Sequence, residues 1–319
     1  MTRNRWARRN GARRGCWILL FGFIPVVVFG AERPDWAFPE ADKVQPPSLA
    51  SESEPKPPPG STKSYTRKQI DDLSNPPDWY PDMHPPMPPV VAHGAKTFAC
   101  GSCHLPTGTG HDESAYLAAL PVPYFVQQMV DFKSGARKGF GVMPTIAEAL
   151  SDEEVQSAAA YFASLQARPW LRVVETDTVP KTYVAPGNIR LNLPDGGAEP
   201  IGSRIVELPE DEKAALNRDP KSGFVAYVPM GSVARGEALV ATGDGKTTKC
   251  AICHGETLKG LGVAPPIAGR HANYIVRQLY FFQDGSRSGP SAALMHGVVQ
   301  KLSVDDMVAI AAYLASLEP

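Results

Sequence analysis

The residues able to do chemistry form two matched pentapeptides, Cys100-Gly101-Ser102-Cys103-His104 and Cys250-Ala251-Ile252-Cys253-His254. Cys-x-x-Cys-His is the spacing that fixes a haem covalently. Two thiols on one turn add to the two vinyl groups of the porphyrin, and the next residue, His, ligates the iron. A structural zinc site would bring its two Cys pairs within about 15–20 residues of each other. Here the pairs lie 150 residues apart, each with its own His. A thioredoxin-like dithiol needs a βαβ pattern that the flanks lack. The spacing therefore predicts two covalently bound c-type haems, with His104 and His254 as proximal iron ligands.

The distal ligand expected for each iron is a methionine. Met143 and Met295 stand at equivalent positions, each eight residues before a serine that opens a helix (Ser151, Ser303). A thioether is soft, favours Fe(II), raises the reduction potential and closes the coordination sphere, which suits electron transfer. Met129 and Met307 fall inside expected helices and are assigned to the core. His296 is the rival to Met295, but Pro144 occupies its place in the first copy. His84, His93, His111 and His271 share no register and read as surface or packing residues. Met83, His84 and Met87 have copper-ligand chemistry, yet an apolar strap is the simpler reading.

The elements that must position these groups are repeated. Tyr124 to Arg137 aligns with Tyr274 to Arg287 at the same 150-residue offset, and Met143 to Leu165 aligns with Met295 to Leu317 after a two-residue slip. A long period of this kind marks a duplicated domain. Units of about 75–90 residues build a meagre core unaided, and a buried haem would supply an apolar centre. Three helices are expected per copy. The first runs into the Cys pair (about 91–99 and 233–242). The second follows Pro123 or Asn273 and stops at Gly135 or Gly285. The third opens on the capping pairs Ser151/Glu154 and Ser303/Asp306. Val155, Ala158, Ala159, Phe162 and Leu165 give the third helix of the first copy an apolar face.

The flanking segments differ in kind. Residues 1–30 hold six arginines, no acid and the apolar run Trp17 to Phe29. That pattern is an export signal. The apolar run is shorter than the roughly 20 residues of a spanning helix, so cleavage before Ala31 is expected, with a retained membrane anchor as the alternative. Without residues 1–30 the chain carries 26 basic and 33 acidic residues, net −7, which argues against nucleic acid as a partner. Residues 31–89 hold 15 of the 32 prolines and are expected to be extended, without helix, with a mobile linker near 51–63. Trp79 and Tyr80 are positioned to pin its later part on the first haem domain. Residues 167–232 are long for a bare loop. The alternating stretches 172–176, 204–208 and 224–228 predict a small β insertion there.

These features resemble the class I cytochrome c fold, and among its members the dihaem cytochrome c4-like group. The likeness covers about 91–166 and 233–318. It includes the stretch Tyr-x-x-x-Gln-x-x-x-Phe-x-x-Gly-x-Arg, present as Tyr124, Gln128, Phe132, Gly135, Arg137 and as Tyr274, Gln278, Phe282, Gly285, Arg287. It implies a mainly α fold of two tandem class I cytochrome c domains joined by a connector with the small β insertion. The corresponding boundaries are 1–30 signal, 31–89 Pro-rich segment, 90–166 first domain, 167–232 connector and 233–319 second domain. It further implies low-spin His/Met haems and a proline carbonyl orienting each proximal imidazole. Pro265 or Pro266 suits that task in the second copy. The first has Ala115 and Tyr116 there, which leaves its orienting carbonyl unassigned. Tyr124, Gln128, Arg137, Tyr274, Gln278 and Arg287 are candidates for the haem propionates, since guanidinium matches carboxylate in shape.

The resulting expectation is a periplasmic electron carrier rather than an enzyme. Its partners would be redox proteins such as a dehydrogenase, a quinol-oxidising complex or a terminal oxidase. The enzymatic alternative, a dihaem oxidoreductase such as a peroxidase, needs one haem able to open its distal side. A cytochrome subunit tethered to a dehydrogenase or oxidase would share the carrier chemistry.

Overall fold

A computed structural model describes residues 32–43, 55–94, 96–139 and 141–319. The expected export signal and residues 51–54 of the expected linker lie outside these. No helix among the described residues is long and apolar enough to cross a membrane.

The helices fall into two groups, called units below. A four-residue helix α2 (Pro89–Ala92) precedes α3 (Cys100–His104), α4 (Val122–Lys133), α5 (Met143–Ala149) and α6 (Asp152–Ser164), with α1 (Arg67–Ile70) upstream of them all. Past the connector helix α7 (Glu212–Leu216), the second unit comprises α8 (Ser232–Thr242), α9 (Ala251–His254), α10 (Ala272–Gln283), α11 (Ala293–Val299) and α12 (Val304–Ser316). Both Ser caps close full capping boxes. Ser151 N–H donates to Glu154 Oε2 at 2.8 Å, and Ser303 N–H donates to Asp306 Oδ2 at 3.0 Å. Gly135 and Gly285 take positive φ just past α4 and α10, a conformation that costs glycine little.

The units differ at their first helix. In the second, α8 crosses α12 so closely that a Cβ on Gly236 would collide with the Ala309 carbonyl. The expected helix over 91–99 is not formed in the first unit. Pro89 starts α2, but His93 is extended and Gly94 sits where a Cβ would overlap the Thr97 carbonyl, so the chain turns away. Its place is taken by the preceding segment, whose Leu73 carbonyl accepts from Ala99 N–H at 2.9 Å and whose Ser74 carbonyl accepts from Gly94 N–H at 2.8 Å.

That segment also departs from the helix-free expectation. Positions 60–75 contain no proline, and there Thr66 and Gln69 close a capping box around α1. Trp79 is buried, and its indole N–H donates to the Asn217 carbonyl at 2.7 Å. Arg67 donates to the Leu216 carbonyl at 3.0 Å. Trp79 thus docks at the end of connector helix α7, while His84 packs edge-on against Tyr161 of α6 with ring centroids 6.3 Å apart, so the later part of the segment also pins on the first unit. Further upstream, Phe38 packs edge-on against Tyr280 and Phe281, so residues 34–38 lie on α10 of the second unit.

The connector contains seven short strands: β1 (Leu171–Glu175), β2 (Thr178–Pro180), β3 (Thr182–Val184), β4 (Arg190–Asn192), β5 (Ala198–Pro200), β6 (Val206–Pro209) and β7 (Phe224–Val228). They make a three-stranded sheet in the order β1-β7-β6 and two ribbons, β2-β5 and β3-β4. β1 runs parallel to β7 with Leu171 opposite Phe224, and β6 is antiparallel to β7. Buried residues of β7 join those of α8, α10 and α12 in the larger core, which ties the sheet to the second unit.

Candidate haem sites

Each Cys-x-x-Cys-His motif folds as a single helical turn, α3 and α9, so its two thiols face one side and the His follows on the same turn. None of these four cysteines is in a disulfide. Burial pushes the Cys100 thiol up to about 12 and the Cys250 thiol up to about 11, so both stay protonated at neutral pH.

Both histidines are oriented by a backbone carbonyl. His254 Nδ1 bonds the Pro265 carbonyl at 2.8 Å, and His104 Nδ1 bonds the Ala115 carbonyl, also at 2.8 Å. Only a protonated Nδ1 can donate to a carbonyl, so Nε2 keeps its lone pair for a metal. Ala115 is the aligned counterpart of Pro265. The bond uses the main chain, and the absence of a proline side chain does not remove it. Burial drives His104 down to about 4 against the raising effect of that carbonyl, and burial likewise lowers His254. Both rings are therefore neutral, as ligands must be.

One continuous cavity of about 1010 Å³ is lined by Cys100, Cys103, His104 and Met143 of the first unit and by Cys250, Cys253, His254 and Met295 of the second. Its size lies at the upper end of the roughly 300–1,000 Å³ range of small-molecule sites. Met143 begins α5 and Met295 lies in α11; both are half-buried. Met129 packs in the first core at the wall of the same cavity, and the other rivals are engaged elsewhere. His296 Nε2 lies 3.2 Å from the Arg287 carbonyl, and Met307 is wholly buried in the second core. His84 bonds Asp78 Oδ1 at 3.2 Å, and no cluster of three or more His, Cys, Asp or Glu suited to a metal occurs among the described residues.

The six Tyr, Gln and Arg candidates come together across the two units. Arg137 donates to Gln128 of its own unit (3.0 Å) and to Tyr274 Oη (3.0 Å) and Gln278 (2.8 Å) of the other. Arg287 mirrors it, donating to Gln278 (3.1 Å), Tyr124 Oη (2.8 Å) and Gln128 (2.7 Å). The two arginines form an antiparallel bridge, flanked by Lys138 N–H to the Ser286 carbonyl at 2.9 Å and Ser288 N–H to the Ala136 carbonyl at 2.7 Å. Each guanidinium lies 4.4 Å from a ring centroid, Phe132 or Phe282.

Besides Arg277, which pairs with Glu113, three buried arginines thus line the cavity, because Arg270 joins Arg137 and Arg287. Its Nε and Nη1 lack hydrogen-bond partners, its guanidinium stacks 4.2 Å over Tyr116, and burial lowers it to about 10. None of the three has a carboxylate partner among the described residues. Buried cations want a counter-charge. An iron porphyrin with two carboxylates fits this wall: imidazole and thioether for the metal, thiols for the vinyl groups, guanidiniums for the acid groups.

Sequence reading missed Arg270, and it also missed two buried contacts between units. Arg277 bonds Glu113 at 3.0 Å, and burial still raises Glu113 to about 8. His271 Nδ1 bonds Glu207 of β6, while Nε2 bonds the Thr109 carbonyl at 3.1 Å. A signal existed. At the 150-residue offset Arg270, His271 and Arg277 face Leu120, Pro121 and Gln127, so one copy carries ionisable groups where the other has none.

The chain is similar to several known c-type cytochromes. The protein-family profile described as Cytochrome c matches residues 233–318. Cytochrome c-554(548) of Halomonas halodenitrificans is 39% identical over 79 residues, 24% of this chain and 95% of that protein. A thiosulfate dehydrogenase electron acceptor of Thiomonas intermedia is 29% identical over 221 residues, covering 68% of this chain and 78% of the relative. Cytochrome c4 of Pseudomonas aeruginosa is 26% identical over 235 residues, covering 72% and 88%. With a class I cytochrome c fold and covalently bound haem c, the chain belongs to the dihaem, cytochrome c4-like family of class I c-type cytochromes.

Proposed function

We propose that the protein is a periplasmic dihaem carrier of single electrons. Its tandem cytochrome c domains would span 90–166 and 233–319, with the strand-bearing connector at 167–232 and an export signal at 1–30. Cys100 and Cys103 would hold one haem and Cys250 and Cys253 the other. His104 with Met143, and His254 with Met295, would be the axial pairs. The observation that carries this reading is the single cavity onto which both complete sets converge at matched positions.

Bound haem supplies one-electron exchange between Fe(III) and Fe(II). The chain's residues do the rest. The Ala115 and Pro265 carbonyls hold the proton on Nδ1 and fix each imidazole plane. Met143 and Met295 would complete the coordination of each iron, which would withhold an open position from oxygen or peroxide. Arg137, Arg287 and Arg270 would offset propionate charge, with Tyr124, Gln128, Tyr274 and Gln278 orienting two of them. Partners are redox proteins, and the names of the relatives point to a thiosulfate-oxidising dehydrogenase as one class of donor.

Optical spectra of the ferric and ferrous protein, with and without carbon monoxide and peroxide, test the assignment. Two low-spin haems inert to both reagents are expected. A high-spin haem with peroxide turnover would favour a dihaem oxidoreductase.

A further inference from the structure

The loop after the first Cys-x-x-Cys-His motif carries His111, Asp112 and Glu113, where the second copy has Leu261, Gly262 and Val263. In the second unit Leu261 and Val263 are exposed. In the first, Asp112 is wholly buried and the Glu113 side chain is 5% exposed, with α10 of the other unit bonded to the loop through His271 and Arg277. Glu113 also lines the cavity, two residues before Ala115, whose carbonyl orients His104.

Among the described residues, two adjacent carboxyls here face one guanidinium. Arg277 donates from Nη1 to Glu113 Oε1 at 3.0 Å and from Nη2 to the main-chain carbonyl of Asp112. Both carboxylate oxygens of Asp112 and Oε2 of Glu113 are buried without a hydrogen-bond partner among these residues. The other ionisable groups around the pair do not offset it. Glu207 of β6 is bonded by His271 and accepts from Asn273 N–H at 3.2 Å, and its charge acts on Glu113 in the same sense as that of Asp112. His111 Nδ1 lies 3.6 Å from Asp112 Oδ1, but burial, with the charges of His271 and Arg218 behind it, outweighs Asp112 and favours the neutral ring. Two carboxylates that share a dry site with one cation do not both ionise readily, so the second charge is suppressed by a proton. Burial, ahead of the opposing pull of Arg277, places that proton on Glu113.

A carboxyl in such a site responds to the charge of a nearby iron. When the metal loses one positive charge, a neighbouring carboxylate binds its proton more tightly, and by reciprocity the bound proton favours the reduced metal.

We propose that Glu113 carries a proton together with the electron of the first haem. Its carboxylate forms an O–H bond with a proton from solvent as Fe(III) becomes Fe(II), and that bond breaks, returning the proton to solvent, when the electron leaves. The proposal rests on the carrier reading, whose redox partners supply and remove the electron. Val263 stands where the second copy would need Glu113, so the second haem exchanges electrons without this proton.

The test is voltammetry of the haem-loaded full chain across the pH range that brackets Glu113, about 8, joined to infrared difference spectra between its oxidised and reduced forms. One of the two midpoint potentials should fall as pH rises, because an ionised Glu113 favours Fe(III). From about pH 6.5 to about pH 9.5 the ferric-to-ferrous ratio of that haem at a fixed potential should rise at least about threefold, equivalent to about 28 mV at about 59 mV per tenfold for one electron. The ratio at the other haem should change less than about 1.5-fold over the same range. Glu113→Gln keeps the side chain's size, removes the titration and should flatten the first profile. Reduction of the wild-type protein near pH 8 should also raise a carboxylic acid C=O band that shifts in deuterated water and is missing from Glu113→Gln. If that variant fails to load haem, the wild-type band and the wild-type pH profile still decide. Potentials indifferent to pH, two haems that fall together, a slope that survives Glu113→Gln, or no carboxylic acid band on reduction would each overturn the proposal. Two reversible one-electron steps report the carrier reading separately. Their absence would sink that reading and the proposal with it, whereas their presence without pH dependence sinks the proposal alone.

Discussion

At the scale of single residues, the determining fact is which atom of a side chain is left over once its local bonds are made. His104 and His254 spend Nδ1 on a carbonyl and keep Nε2. Met143 and Met295 have no competing role in a sealed core. Met143→Ala and Met295→Ala should each open one haem of the two, so that the ferrous carbon monoxide spectrum of either variant shows about half the response expected for full occupancy. A response absent from one variant would remove that methionine from the ligand set. Arg270 makes a different prediction. It is the buried guanidinium with two unpartnered nitrogens, so Arg270→Leu should leave a shape the fold accepts while removing a positive charge beside the cofactor. The reduction potential should fall, as protein-film voltammetry would show, because a nearby cation favours the reduced iron.

At the scale of elements, the capping boxes and the tight helix crossing give the sharpest expectations. Burial of Asp306 would raise its carboxyl, but the Ser303 N–H, Lys246, the Ser303 hydroxyl and Arg235 outweigh it and bring it down to about 2. A carboxylate depressed in the folded state contributes stability above its unfolded value near 4, and that contribution is lost as pH falls through about 2. Discounted for the solvent that reaches Lys246 and Arg235, the loss amounts to roughly 1 kcal/mol. Thermal melts of Asp306→Asn should be lower than wild type at pH 7, and the gap should close towards pH 2. Gly236→Ala should cost about 1–3 kcal/mol, since a methyl has no room under the Ala309 carbonyl and α8 must move off α12. Elements with local signals were legible in the sequence. Ser151 and Ser303 mark the starts of α6 and α12, Gly135 and Gly285 the ends of α4 and α10, and the alternation at 172–176 and 224–228 coincides with β1 and β7. The first helix of the first unit was misread because its apolar positions are genuine, while Gly94 and the upstream Leu73 segment act through tertiary contacts that periodicity does not register. The Ala115 carbonyl was missed for a related reason: a main-chain acceptor leaves no trace in residue type.

At the scale of the whole molecule, the two units are locked by reciprocal arginines, by Arg277 with Glu113, and by His271 between Glu207 and Thr109. Duplication alone does not reveal that Arg137 reaches Tyr274 rather than its own Tyr124, and the sequence was silent there. Calorimetry of the wild-type protein should show one cooperative transition. Arg137→Ala combined with Arg287→Ala removes the reciprocal bonds and should split it into two, while either unit keeps its own haem spectrum. A single unchanged transition would mean that the connector and the buried pairs suffice to couple them.

β1 and β7 lie side by side and point the same way, so the chain resumes its course at Val228 beside the place where it left off at Glu175, whose carboxylate accepts from Val233 N–H at the head of α8. The 48 residues from 176 to 223 are in that sense a detour, and descendants of this chain are free to lengthen or trim its outer ribbons so long as Glu207 stays in place against His271. What such editing would alter is the shelter that Arg218 gives the Ser102 carbonyl beside the first haem motif.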